Sequence, residues 1–126
     1  MLLFSTLVDW QAEIGNLAHA VKMQRPKVIE EGLSEEGRDV LRIPPLLEKH
    51  LERIHVVGAA AVPLSRAIIS TMFARRMQTA VLIAIRDYQG ENIEVVSAFR
   101  GQLLRAANDL GSAIESMGDG LHDGRK

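Results

Sequence analysis

The sequence predicts an all-α fold, a four-helix bundle with one or two extra short helical turns that assembles into an oligomer. Several segments carry apolar residues at alternating spacings of three and four, the spacing of one face of an α-helix. Aromatic residues make up only 4% of the chain, whose apolar residues are mostly the aliphatic ones of packed helices. The one strand-like run, 81–85, lies inside a segment of helical periodicity, so no sheet is expected.

The first helix is predicted from a single apolar stripe that ends before Pro26. Proline disfavours helical geometry in the residue before it, which places the end of this helix near Gln24 or Arg25. Residues 26–45 contain glycines, prolines and many acids, a composition typical of short helical turns in a solvated connection. Ser34 is the expected N-cap of a turn that ends near Arg42. The stripe consists of Leu3, Leu7, Trp10, Ile14, Leu17 and Val21.

A second main helix is predicted to begin with Pro45 at its first position and to break at Pro63. Residues 58–62 could be a kinked continuation of this helix or a bend into the third helix, and both alternatives stay open. The fourth helix is predicted from about Asn92 to Met117, closed by the glycines that follow. Small residues on a second face of this helix would allow another backbone to approach closely: Ser97, Gly101, Asn108 and Gly111. We therefore expect one helical domain at 1–117 and a flexible tail at 118–126.

The third helix, predicted from Pro63 to near Tyr88, is the most unusual segment of the chain. Residues 63–86 contain no glycine and no acid, and their only charges are four arginines. As a helix this segment is apolar around most of its circumference towards its end, which requires burial on more than one side. We predict that it is the core helix of the bundle and that residues 77–85 contact another subunit.

Its arginines suggest a contact with an anion or a partner. With Arg100 and Arg105 of the last helix, Arg75, Arg76 and Arg86 could form a local anion site for a phosphate, a nucleotide or an RNA backbone. The alternative is that they pair with the acid-rich 30–52 region or with a partner subunit while their aliphatic stems cover apolar surface. The arginines point in different directions around the helix and do not form one basic stripe.

Composition excludes several classes of protein. The 126 residues fit one domain with a core large enough to need no covalent crosslink, and the chain has no cysteine. Acidic residues interrupt the first apolar run before it could act as a signal peptide, and we expect a cytoplasmic location. Arg66 and the Arg75–Arg76 pair interrupt the best candidate for a membrane span. With a net charge of −1, neither membrane nor nucleic acid is an expected partner.

One helical face carries a spacing known from metal-binding bundles. Glu48, Glu52 and His55 are related by steps of four and three, and the last two form a Glu-x-x-His. Ferritin-like bundles hold iron or manganese with this spacing, but they use two copies of it. This chain has one copy, so a di-metal site would require a dimer. The alternative is a solvated face whose acids pair with nearby lysine or arginine.

A second constellation spans residues 13–22 (EIGNLAHAVK) and 35–41 (EEGRDVL). It resembles the MazG-like, all-α nucleoside triphosphate pyrophosphohydrolases, in which carboxylates on two helices hold Mg²⁺. In this resemblance Glu13 matches one acid of the first motif, and Glu36 and Asp39 match the second motif. The resemblance implies that Mg²⁺ grips the phosphates and activates the attacking water. Ala12 and Asn16 stand where the family has two further glutamates.

These patterns favour a non-catalytic interaction or regulatory module that acts as a homo-oligomer, with a further protein partner allowed. No catalytic or cofactor-binding residue is assigned, and no cofactor is expected unless the MazG-like alternative brings Mg²⁺ to Glu13, Glu36 and Asp39. A ferritin-like metal-binding bundle is the second alternative.

Overall fold

The computed structural model describes residues 2–34, 36–50, 58–87 and 93–123. Five helices follow one another in these residues, and no strand occurs among them. They are α1 (Leu2–Lys22), α2 (Pro26–Leu33), α3 (Pro45–His50), α4 (Ala61–Asp87) and α5 (Ile93–Asp123). The predicted all-α bundle is therefore confirmed, built in the described residues from three long helices and two short ones.

The hydrophobic core is formed where α5 packs along both α1 and α4. Its residues repeat at spacings of three and four, so they share one face of α5. The amide Nε2 of Gln11 in α1 donates to the carbonyl of Ala107 in α5 over 3.0 Å. A Cβ added to Gly118 would lie 4.0 Å from Phe4. Because the start of α1 lies beside the end of α5, the two helices run antiparallel. The buried stripe of α5 is Phe99, Leu103, Ala106, Leu110, Ala113 and Met117.

The chain reverses sharply after α1 and enters α2 almost at once. Gln24 has a positive φ of 53° and lies in this reversal, so α1 ends at Lys22, close to its predicted end. The next helix begins at Pro26, because the first position of a helix does not need the N–H that proline lacks. Ser34 ends α2 by donating its N–H to the carbonyl of Glu30. Its hydroxyl also accepts the N–H of Glu36 over 3.2 Å, so Ser34 caps the turn at 36–38 as predicted.

The second predicted helix is described only in part. Its start at Pro45 is confirmed by α3, whereas residues 51–57 lie outside the described part of the chain. Gly58 has a φ of +61°, a left-handed conformation that an α-helix does not contain, and residues 58–60 form a 3₁₀ turn into α4. The predicted break at Pro63 is therefore misplaced, since that proline lies within the first turn of α4, where proline is tolerated.

The last helix is longer than predicted. α5 continues through Gly118 and Gly120 to Asp123, so these glycines do not close it at Met117. The described part of the expected tail, 118–123, is helical, so the predicted end of the helix at Met117 is wrong. Glycine lowers helix propensity by about 1 kcal/mol without forbidding a helix, and α5 extends across both positions.

Candidate functional site

The outward side of α4 carries five of the nine large apolar side chains that are exposed among the described residues. Five of its large apolar side chains are about half exposed, although residues of this size are usually buried. Exposed apolar surface is the kind of surface that soluble proteins commonly use to contact other molecules. We call this surface the outer face of α4: Val62 (59% exposed), Ile69 (53%), Met72 (46%), Phe73 (48%) and Ile83 (57%).

The outer face is a single stripe rather than scattered residues. With 100° of rotation per residue, its five members fall within an arc of about 100° on α4. Arg76 and Ala80 lie inside the same arc and are also exposed. Ile69, Met72, Phe73 and Arg76 line a shallow depression of about 100 Å³ at the middle of the stripe. The guanidinium carbon of Arg76 lies 5.8 Å from the ring centre of Phe73, within the range of a cation–π contact.

The opposite side of α4 is fully occupied by the fold. Its buried residues include several alanines, which let α4 approach α5 closely. The hydroxyl of Thr71 donates to the carbonyl of Ala67 over 2.8 Å, so this buried polar group has a partner within the helix. α4 is therefore buried on one side only. The prediction that α4 is the core helix is wrong, because α5 is the helix that packs along both other long helices. The buried side comprises Leu64, Ala67, Ile68, Ser70, Thr71, Ala74, Val81, Ala84 and Ile85.

The predicted subunit contact at 77–85 is only partly exposed. Ile83 belongs to the outer face, whereas Val81, Ala84 and Ile85 are buried within the chain. Sequence reasoning missed Ile69, Met72 and Phe73 as surface residues. The sequence did contain a signal for this second helical stripe. Its positions are separated by seven, four, three, four and three residues: 62, 69, 73, 76, 80 and 83.

The arginines singled out from the sequence lie in different surroundings. Nε of Arg86 is 3.9 Å from Oε1 of Glu30 in α2, an exposed ion pair of the kind that contributes little to stability. Arg76 lies over Phe73, and Arg75 is exposed. Arg100 of α5 is half-buried, and its Nε has no hydrogen-bond partner among the described residues. The contact of Arg86 with Glu30 accords with the alternative in which these arginines pair with the acid-rich region.

Two of the three MazG-like residues line one cavity. The cavity has a volume of about 390 Å³ and lies between α1 and the connection from α2 to α3. Glu13 and Asp39 both line it, together with Asp9 and the arginines at 38 and 42. Glu36 is exposed, does not line this cavity and donates its N–H to the hydroxyl of Ser34.

The connection that bounds this cavity is fixed to α1. Nε1 of Trp10, which is buried, donates to the carbonyl of Val40 over 2.8 Å. The N–H of Val40 in turn donates to the carbonyl of Gly32 over 2.8 Å. A side chain on Gly37 would lie 2.5 Å from the carbonyl oxygen of Glu31, so the backbone here leaves no room for a Cβ. The cavity wall is therefore held by backbone contacts as well as by side chains.

Metal ligation has limited support in the described residues. Across 2–34, 36–50, 58–87 and 93–123, no group of three or more histidine, aspartate or glutamate side chains is arranged to hold a metal ion. Glu48 is exposed on α3. Glu52 and His55 of the Glu-x-x-His lie outside the described residues, and so does the ferritin-like site that would use them.

One helical stretch, Gly58–Arg86, is long and apolar enough to cross a membrane by length and composition alone. In its most apolar window, 39% of the residues are buried inside the molecule. A helix packed at one side of a bundle meets the same criteria, so length and composition do not separate a membrane span from an exposed apolar face.

Comparisons with protein-family models, curated proteins and solved structures found no significant match to this chain.

Proposed function

We propose that the protein is a non-catalytic helical interaction module that forms a homo-oligomer through the outer face of α4. The observation that carries this proposal is the exposed apolar stripe on a helix whose other side is already packed against α5. Covering such a face removes apolar surface from water, which favours association by roughly 25 cal/mol per Å² before the costs of binding. A regulatory role would act by coupling this association to a further protein.

The chemistry of the stripe favours a protein surface over lipid. Arg76 lies within the arc of the outer face, with its charged group over the ring of Phe73. A membrane would have to accommodate this charge next to the acyl chains, at substantial cost. Arginine and aromatic side chains are, in contrast, enriched at the centres of protein interfaces.

The test is the oligomeric state of matched variants. Light scattering and sedimentation at tens of micromolar should give a dimer or higher oligomer for the wild type. Ile69→Gln and Phe73→Gln should each weaken association about tenfold or more, because each places a polar group in the contact and about 1.4 kcal/mol corresponds to tenfold in Kd. The wild-type helical circular dichroism should persist in both variants, because neither side chain belongs to the core.

Val8→Gln and Leu104→Gln serve as controls, since both residues are exposed apolar positions on other helices. They should associate like the wild type. A monomeric wild type, or face variants that associate normally, contradicts the proposal. Flotation with anionic vesicles in the absence of any solution oligomer would point to a membrane surface instead and contradict it as well.

A MazG-like pyrophosphohydrolase is the second candidate, favoured by the shared position of Glu13 and Asp39 on one cavity. If it holds, a panel of nucleoside triphosphates with Mg²⁺ should yield monophosphate and pyrophosphate, detectable by phosphorus NMR. Glu13→Gln and Asp39→Asn should remove this activity, while Glu94→Gln on the exposed surface of α5 should keep it. Intact triphosphates throughout the panel would end this candidate.

A further inference from the structure

We propose that two copies of the chain pair through antiparallel α4 helices, with the two-fold axis passing between Met72 and Phe73. This inference rests on the proposed self-association and specifies its geometry. It is drawn from three properties of the outer face: the symmetric positions of its residues, the site of its depression and the distribution of its charges.

Four of the five residues of the outer face form two pairs about the midpoint of 72 and 73, and the fifth, Ile69, is paired with Arg76 of the same arc. Val62 and Ile83 lie equally far from this point on either side, and so do Ile69 and Arg76. An isologous interface requires that a surface be complementary to itself after a two-fold rotation. In an antiparallel pair centred here, Val62 of each copy faces Ile83 of the other, and two apolar ends that are each more than half exposed become covered.

The depression on the outer face lies on the proposed axis. At equal heights along the antiparallel helices, residue 69 of one copy lies opposite residue 76 of the other, and residue 72 lies opposite residue 73. The axis therefore brings the concave centres of both copies together and aligns their large flexible side chains. Met72 and Phe73 are each about half exposed, which leaves apolar atoms free to fill the space between the copies.

The charges on α4 favour an antiparallel pair over a parallel one. Residues 63–86 carry four arginines and no acid, so α4 cannot neutralise its own repulsion there. In a parallel, in-register pair each Arg76 would meet its own copy near the centre of the contact. In the antiparallel pair the two Arg76 residues are displaced by seven residues, or about 10 Å along the helix, which is close to the screening length at physiological salt.

The absence of cysteine makes disulfide trapping a direct test of this geometry. A disulfide requires Cα atoms within about 7 Å, whereas two copies of residue 62 would be about 32 Å apart along antiparallel helices. Phe73→Cys should therefore form a covalent dimer on mild oxidation, and Val62→Cys or Ile83→Cys alone should not. An equal mixture of Val62→Cys and Ile83→Cys protein should give the mixed dimer.

Met72→Cys provides a second position next to the axis in case Phe73→Cys does not fold, and Ala12→Cys, exposed on α1, is the control that should stay unlinked. Self-linking by Val62→Cys and by Ile83→Cys would show a parallel pair and overturn the inference. A dimer by light scattering without a link at either axial position overturns the geometry while leaving self-association intact. A wild-type monomer overturns both.

Discussion

The two glycines Gly37 and Gly101 lie in opposite surroundings. A Cβ on Gly37 would lie 2.5 Å from the carbonyl oxygen of Glu31, a backbone atom that cannot move without shifting α2. A Cβ on Gly101, in the middle of α5, would meet nothing within 4 Å. Gly37 is therefore required by a close approach of backbone, whereas Gly101 leaves unused space beside a helix.

We expect opposite effects from alanine at these two glycines. Gly101→Ala should stabilise the fold by about 1 kcal/mol, because alanine has the higher helix propensity and nothing obstructs its methyl group. Gly37→Ala should destabilise it by about 1 kcal/mol or more, because the connection beside Trp10 must shift. Urea unfolding followed by circular dichroism measures both.

Comparing the two variants is informative because the same substitution, glycine to alanine, is made at both sites. Equal effects, or a destabilised Gly101→Ala, would contradict the surroundings described for α5. The sequence predicted a face of small residues on α5 but did not separate its members. Gly111 would place a Cβ 2.8 Å from the side chain of Gln11, whereas Gly101 has open space, and this difference depends on a partner 96 to 100 positions away along the chain.

At the scale of elements, α5 is the helix that packs against both other long helices. Leu103 is fully buried between its neighbours, and the adjacent Leu104 is 43% exposed on the other side. The helical period alone assigns them to different faces, and here the sequence was sufficient: Leu103 belongs to the stripe predicted for the last helix. Periodicity is reliable in this case because one face of the helix is apolar and the other is mixed.

Leu103→Ala should lower the free energy of unfolding by about 2–5 kcal/mol, since it removes buried methyl groups and leaves a cavity. Leu104→Ala should change it by about 0.5 kcal/mol or less, as expected for an exposed position. Thermal and urea denaturation of both variants provide the comparison. Similar losses for the two leucines would place the core of α5 on a different face.

Sequence periodicity was less informative for α4, which carries apolar residues on both sides. Its ends were predicted within two or three residues, but the pattern did not say which side meets α5. The assignment depends on the small residues Ala67, Ala74 and Ala84, which permit close helix packing and turn the larger Ile69 and Phe73 outward. Whether large and small side chains fit together depends on both helices of a packed pair. The apolar pattern of one helix alone therefore does not predict which of its sides is packed.

At the scale of the whole molecule, the bundle and its short connections follow from proline positions and helical stripes. The candidate sites were less predictable. Glu13 and Asp39, two of the three residues joined by the resemblance, line one cavity. Glu36 does not line it, and residues 36–38 form a turn instead of continuing a helix. The outer face was missed because exposure of an apolar residue contradicts the general rule from which core predictions are made.

The antiparallel packing of α1 on α5 also sets an order of events during synthesis. α2 and α3 follow α1 closely along the chain, but the side of α1 that packs on α5 is covered only when residues about 100 positions later are available. Contacts of such long sequence separation close slowly. The nascent chain therefore carries the α5-facing side of α1 without its main partner until α5 has been translated.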